Sequence, residues 1–377
     1  MSEPINPFPI HGYFGPELFC NRDDERDMLI EAVRNGRNIT LFAPRRIGKS
    51  ALIHHVFHFL HPKWSCIYLD VQESASFKDF TNLFLTSVLN GVKRQKTLFN
   101  KVQEWLLSFR PVLSTNPHTG SFEVEIDFKS DAQQQTSIKS AFQLLDSQGP
   151  TVIALDEFQH IHSWDEGFAV ESWLRSEIQH LKNVRFIFSG SQFHLLTEMF
   201  QSAKRPFFAS TQPMNIGKIE MERYRIFIGR MFQAHGKAIR TEEIDCILEW
   251  ADGNTYNVQL LCNRIFSKAS KKVEQAMIDE SIIEIYAENK LSYFALRNSM
   301  SKYQWQVLTA IAIEGMVFAP TARDFLKKYD LGAGPSVLRA MEYLLSRELV
   351  YQYYQDDGKK YYQRSEERRV GKECRSR

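Results

Sequence analysis

No apolar run in this sequence approaches the roughly 20 consecutive residues that a membrane-crossing helix needs. The opening MSEPINPFPI lacks the basic and apolar stretches of a signal peptide. Cysteine is sparse, and the five present (Cys20, Cys66, Cys246, Cys262, Cys374) form no C-x-x-C and no His/Cys cluster. That spacing indicates neither a zinc site nor a disulfide framework. There is no G-x-S-x-G and no H-E-x-x-H, and the His-rich HHVFH belongs on the helix after the loop at Gly48, so nothing points to serine-hydrolase or zinc-peptidase chemistry. The expectation is a cytoplasmic protein in a reducing compartment with no membrane contact.

An excess of charge of one sign is also missing, since 47 Lys and Arg face 45 Asp and Glu for a formal charge of +2. Even that small basicity belongs to the last fourteen residues, RSEERRVGKECRSR from Arg364, which carry six basic and three acidic side chains. They look like a translated sequencing-library adapter and are set aside for the fold argument, with the natural C-terminus expected to be missing. The remainder is at −1, so net charge gives no reason to expect a nucleic-acid partner. What is present is a chain of 377 residues, 43% hydrophobic and 24% charged, long enough for two or three domains with full cores.

The organising stretch is Asn38 to Ser50, NITLFAPRRIGKS, followed by ALIHHVFHFL at helical spacing. A short apolar run (Ile39, Leu41, Phe42), a loop and then a helix form the context in which Gly48-Lys49-Ser50 reads as a phosphate-binding loop. Loop amides and a helix N-terminus converge on one point and hold an anion there. In that reading Ala43, Pro44, Arg45, Arg46, Ile47 and Gly48 wrap the phosphates, Lys49 meets the terminal ones, and the Ser50 hydroxyl ligates Mg²⁺. Ala43 stands where the full pattern has its first Gly, and an alanine disfavours a positive φ there. The partner motif is TVIALDE, Thr151 to Glu157, an apolar strand ending in two carboxylates. Ligands of open α/β sheets bind beyond the carboxyl ends of the strands, so Asp156 is expected to hold Mg²⁺ and Glu157 to polarise the attacking water.

With these motifs, and with Phe19, Arg22 and Glu25 ahead of them, the chain resembles the archaeal-type ATPases, a prokaryotic branch of the P-loop NTPases related to the AAA+ and STAND ATPases. Pro44-Arg45-Arg46 and Asp156-Glu157-Phe158 carry the same resemblance. It implies ATP and Mg²⁺ as ligands, with Arg22 added to the nucleotide-binding residues. It also implies a γ-phosphate sensor at Ser189-Gly190-Ser191-Gln192, which the residues alone would equally allow to be a Ser-Gly turn. Gly253-Asn254-Thr255 resembles the family's G-x-P lid signature with Thr in place of Pro. Arg205 is a candidate phosphate-sensing or neighbour-supplied arginine, against the alternative of a surface ion pair. Asp70 is either near the metal or a helix cap.

The remaining pattern fills in the architecture. A mixed section from 91 to 135, with a helical KVQEWLLSF and an alternating FEVEIDF, reads as a peripheral insertion. A helix is expected from Ser172 to Leu181, and MNIGKI from Met214 as the fifth core strand. From Glu220 the pattern is helical. From Ser299 three helices and a hairpin around Asp356-Asp357-Gly358 suit a winged helix. The expected class is α/β: a P-loop NTPase parallel sheet (1–219) with a helical lid (220–298), a winged-helix domain (299–363) and the adapter-like tail (364–377). The expected function is an ATP-binding protein and Mg²⁺-dependent ATPase used as a switch, with Glu157, Lys49, Ser189 and Ser191 catalytic. The alternative is a non-hydrolysing, nucleotide-bound interaction or DNA-binding module. A protein partner or self-association is expected, with the winged-helix domain mainly a protein-contact or autoinhibitory element. DNA is not favoured, because residues 299 to 363 hold eight basic against seven acidic side chains, a poor match to phosphate. The hairpin tyrosines Tyr351, Tyr353, Tyr354, Tyr361 and Tyr362 are either a contact surface or core.

Overall fold

The computed structural model describes residues 6–93, 95–109, 111–117, 120–354 and 359–364. In chain order these form α1 (Asp23–Arg34), β1 (Ile39–Phe42), α2 (Lys49–Leu60), β2 (Ser65–Asp70), α3 (Phe77–Gly91), α4 (Lys96–Leu107), β3 (Val112–Thr115), β4 (Phe122–Glu125) and α5 (Asp131–Gln148). Next come β5 (Thr151–Asp156), α6 (Gly167–Ile178), β6 (Val184–Gly190), α7 (Phe193–Gln201), β7 (Gln212–Asn215), α8 (Met221–Ala234), α9 (Thr241–Ala251) and α10 (Thr255–Lys268). The chain continues through α11 (Gln275–Asn298), α12 (Lys302–Glu314), α13 (Arg323–Lys328), α14 (Gly334–Ser346), β8 (Val350–Tyr354) and β9 (Lys360–Arg364). It divides into two compact units, residues 1–236 with 244–263, and residues 237–243 with 264–377.

The first unit is built on a five-stranded sheet in the order β2-β5-β6-β1-β7, every pairing parallel. The period-2 alternation of strand side chains splits its core in two. Val152 and Ala154 of β5, with Ile187 of β6 and Ile39 and Leu41 of β1, face α1 and α2. Ile153 and Leu155, with Phe186 and Phe188, face the helices α3, α5, α6 and α7 on the other side. With both faces covered, β5 is buried at all six positions, as a central parallel strand must be. Phe188 is the centre of an aromatic cluster, its ring 4.7 Å from Phe158, 5.0 Å from Phe200 and 5.1 Å from Phe207.

Three elements differ from the sequence reading. The insertion contains a second strand, β3, paired antiparallel with β4; its residues are mostly exposed and bracketed by Pro111 and Pro117, so no buried alternation betrays it. Helix α6 begins five residues before Ser172. Gly167 sits at its start because a Cβ there would come within 2.1 Å of the Ile161 carbonyl oxygen. Strand β7 begins and ends earlier than Met214 to Ile219, pairing with β1 only from Gln212 to Asn215.

In the second unit, Ser301 and Gln304 close a capping box that starts α12. α12, α13, α14 and the antiparallel β8–β9 pair enclose Val307, Ile311, Phe325, Val337, Leu344 and Val350, and Leu296 of α11 joins the same core. Val317 bridges to Tyr362, adding a third short strand segment. Tyr351 is buried, Tyr362 packs against the core, and Tyr353 stacks on Tyr361 at 5.3 Å. Much of the aromatic content of the hairpin is therefore packing. Arg364, set aside with the tail, pairs with Val350 in β9. The turn at Asp356 to Gly358 and residues 365–377 lie outside the described residues, as does the side chain of Tyr354.

Truncating the aromatic centre tests this layering. Phe188→Ala should cost the first unit about 3–5 kcal/mol. Urea unfolding followed by fluorescence would show an early transition with the second unit's transition unmoved, and an unshifted profile would contradict the packing.

Candidate functional site

The two sequence motifs meet at the carboxyl ends of β1, β5 and β6. Gly48 has φ +93 and passes the chain into α2, so Lys49 and Ser50 open the helix. The Lys49 ammonium lies 2.6 Å from Glu157 Oε1 and 3.0 Å from Asp156 Oδ1, and only 7% of its side chain is exposed. Asp156 also accepts from Ser50 Oγ at 2.5 Å, Tyr68 OH at 2.7 Å and Ser189 Oγ at 2.6 Å. Glu157 Oε2 accepts from the Ser191 hydroxyl at 2.9 Å, the Ser191 amide at 3.1 Å and Gln159 Nε2 at 2.6 Å. Glu157 itself sits at φ +50, an uncommon place for a side chain of its size, where strand β5 turns sharply into a 3-10 turn. Lys49, Ser50, Asp156, Glu157, Ser189 and Ser191, far apart in sequence, thus form one connected knot in which only Ser50 and Glu157 are partly exposed.

The loop residues have separate tasks. Ala43 is not among the positive-φ residues and is buried in the core at the end of β1, so the expected penalty for alanine does not arise. The left-handed positions are Arg46 (φ +63) and Gly48. Arg45 donates to Ser191 Oγ at 3.3 Å, whereas Arg46 turns away and lies 4.5 Å over the Tyr256 ring. Pro44 is half-buried, and Ile47 is buried with its carbonyl pointing back. That carbonyl accepts from Arg22 at 3.0 Å and from Thr255 Oγ1 at 3.0 Å, and Tyr224 OH donates to the same threonine at 2.9 Å.

Arg22, placed by resemblance among the nucleotide contacts, is 1% exposed and spends its guanidinium on Ile47 O, Gly217 O and Glu25. It clasps the loop from behind. Arg205 lies elsewhere, in a buried pair with Glu171 at 2.6 Å. Of the two expected roles it takes the ion pair, but not at the surface: Glu171 is fully buried, and its carboxyl is pushed up to about 7 by burial despite the arginine. Asp70 caps the following 3-10 turn through the Gln72 amide at 3.0 Å, one of its two expected roles.

The fold that carries this site is similar to that of solved structures. The Walker-type ATPase of Pyrococcus abyssi matches with a TM-score of 0.66 over 96% of this chain and 97% of its own, at 15% identity. The ORC2 protein of Aeropyrum pernix, solved in ADPNP–ADP complexes, matches at 0.59 over 96% and 93%, at 12% identity. The ORC1 protein of the same organism, solved in complex with DNA, matches at 0.55 over 96% and 93%, at 13% identity. A family model described as "Probable winged helix domain" matches residues 291–362. The chain has the fold of a Walker-type ATPase with a C-terminal winged helix. No curated protein matches it.

Within this Walker-type fold the charges are tightly coupled. Burial alone would raise the Asp156 carboxyl, but Lys49 and the hydroxyls of Ser189, Ser50 and Tyr68 outweigh it and hold it at about 2. Glu157 is lowered for the same reason, burial opposing and Lys49 prevailing, while Lys49 is raised by its two carboxylates against its own burial. Burial and the adjacent Asp156 push the Tyr68 phenol up, so it stays a donor. Ser50 and Asp156 are hard oxygen ligands side by side, which suits Mg²⁺ completed by phosphates and water. Among the described residues no group of three or more His, Cys, Asp or Glu could hold a metal ion. No described helix is long and apolar enough to cross a membrane.

The sequence reading missed two residues of the site, Tyr68 on β2 and, beyond the carboxylate pair, Gln159. For Gln159, its position two residues past the carboxylate pair was the available signal.

The depressed carboxyl sets a pH dependence. Asp156 favours the folded state above its ordinary value of 3.8, and that contribution is lost as pH falls toward about 2. Stability measured by thermal unfolding between those limits should therefore fall more steeply with acid in the parent protein than in Asp156→Asn. Equal slopes would contradict the ion-pair assignment.

Proposed function

We propose that the chain is a Mg²⁺-dependent ATPase that acts as a nucleotide-controlled switch. The observation that carries this is the buried Lys49 at the start of α2, held against Asp156 and Glu157 at hydrogen-bond distance. A helix N-terminus and a lysine favour a terminal phosphate, and a nucleotide would draw the ammonium from the carboxylates it now pairs. Ser50 and Asp156 would hold the metal, which when bound supplies charge neutralisation for the phosphates. Glu157, freed from Lys49, would accept a proton from the water that attacks the γ-phosphorus while the bond to the bridging oxygen breaks and ADP leaves. Ser189 and Ser191 connect β6 to the two carboxylates, so a change at the phosphate reaches the sheet. Solved neighbours described as a Walker-type ATPase and as ADPNP–ADP complexes support nucleotide binding.

The competing reading is a nucleotide-bound module without turnover, and two substitutions separate them. Lys49→Ala should abolish measurable ATP affinity; unchanged affinity would remove the phosphate-loop assignment. Glu157→Gln should still bind Mg²⁺-ATP but turn over about 10²-fold more slowly. Equal turnover would favour the module.

For the winged helix, a protein contact or autoinhibitory role is favoured over strong DNA reading. One neighbour is described in complex with DNA. Here, however, the exposed face of α14 sets Leu338 and Arg339 beside Glu342, too mixed a surface for a phosphate track. Protein lacking residues 365–377 should show no sub-micromolar duplex binding; salt-sensitive binding abolished by Arg339→Glu would overturn this.

A further inference from the structure

The end of β6 serves the carboxylate motif residue by residue. Ser189 donates to Asp156, and Ser191 donates to Glu157. Gly190, between them, is the floor on which Gln159 lies: a Cβ at that position would stand 1.9 Å from Gln159 Oε1 and 2.6 Å from Leu196 Cδ1. Gln159 is 2% exposed, and its Nε2 reaches Glu157 Oε2 at 2.6 Å while its Oε1 has no hydrogen-bond partner. An amide that leaves its own acceptor unsatisfied in the interior is costly. A purely packing role would be filled better by an apolar side chain of that shape, so the donor end is what the position requires.

The two oxygens of Glu157 are thereby made unequal. Oε2 takes three donors, one from Gln159 and two from Ser191. Oε1 is held by Lys49, the group that a terminal phosphate would draw away. We propose that Gln159 is a positioning residue that locks Glu157 Oε2 against Ser191 and so presents Oε1 as the oxygen that takes the proton from water. Gly190 is the close-approach position that makes room for it. This rests on the ATPase reading and adds to it a residue that determines which face of the base works.

Single-turnover hydrolysis of radiolabelled ATP, with nucleotide affinity measured in parallel, tests it in Gln159→Met, Glu157→Gln and the double variant. Gln159→Met should lower the rate by about tenfold, the equivalent of one hydrogen bond to a charged group, with ATP affinity changed less than about twofold. In the Glu157→Gln background the same change should lower the rate no further, because there is no base left to orient. Should Gln159→Met fail to fold, Gln159→Asn, whose shorter amide stops short of Glu157, is read in the same way. An unaltered rate, or an equal fractional loss in both backgrounds, overturns the positioning role and leaves the ATPase reading standing. A Glu157→Gln variant indistinguishable from the parent removes the ATPase reading and this proposal with it.

Discussion

A lysine with 7% of its side chain exposed, held between two carboxylates, is the interaction on which this structure turns. Burying one cation with two anions is costly unless every remaining lone pair and proton is satisfied. The fold supplies donors to those carboxylates from four elements and two turns: Lys49 and Ser50 from α2, Tyr68 from β2, Asp156 itself on β5, Ser189 from β6, and Ser191 and Gln159 from the turns that follow β6 and β5. The parallel register Tyr68–Ala154 and Leu155–Phe188 places those strand ends at one level. Packing on both sheet faces then fixes the strands, so core and site are held by the same hydrophobic layers.

A second constraint operates from behind. Ile47 O, the carbonyl just before the glycine that opens α2, accepts from Arg22 and from Thr255, so the loop that would wrap a phosphate is held by α1's entry turn and by α10's first residue. Arg22 takes a left-handed backbone (φ +77) to reach it. Two donors on one carbonyl pre-shape the loop, which lowers the ordering cost of binding an anion.

Much of this was legible in the residues. The strand-loop-helix context around Gly48-Lys49-Ser50 and the apolar strand ending in Asp156-Glu157 are dictated by local chemistry, and both appear where expected. Other assignments needed tertiary information. Whether Arg22 faces a nucleotide or a carbonyl depends on where Gly217 lies, 195 residues away. Arg205 read as a surface group because its partner Glu171 is buried only by the packing of α6. The long helix α11 offered weak periodicity, as Ile283, Leu291 and Phe294 are exposed on the face opposite its buried residues. Gln159 was silent because a glutamine in a turn usually faces water, and only the missing side chain at Gly190 shows why this one does not.

The central claim is that Lys49 is parked on the carboxylates and is exchanged for phosphate when nucleotide arrives. A crystal structure with Mg²⁺ and a non-hydrolysable ATP analogue tests it most directly. The account predicts Lys49 Nζ within hydrogen-bond distance of the terminal phosphate, and the metal on Ser50 Oγ and an Asp156 oxygen. Glu157 Oε1 should then face an ordered water while Oε2 remains on Ser191 and Gln159. Nucleotide bound elsewhere, or Lys49 still paired with Glu157 in the presence of bound analogue, would contradict it.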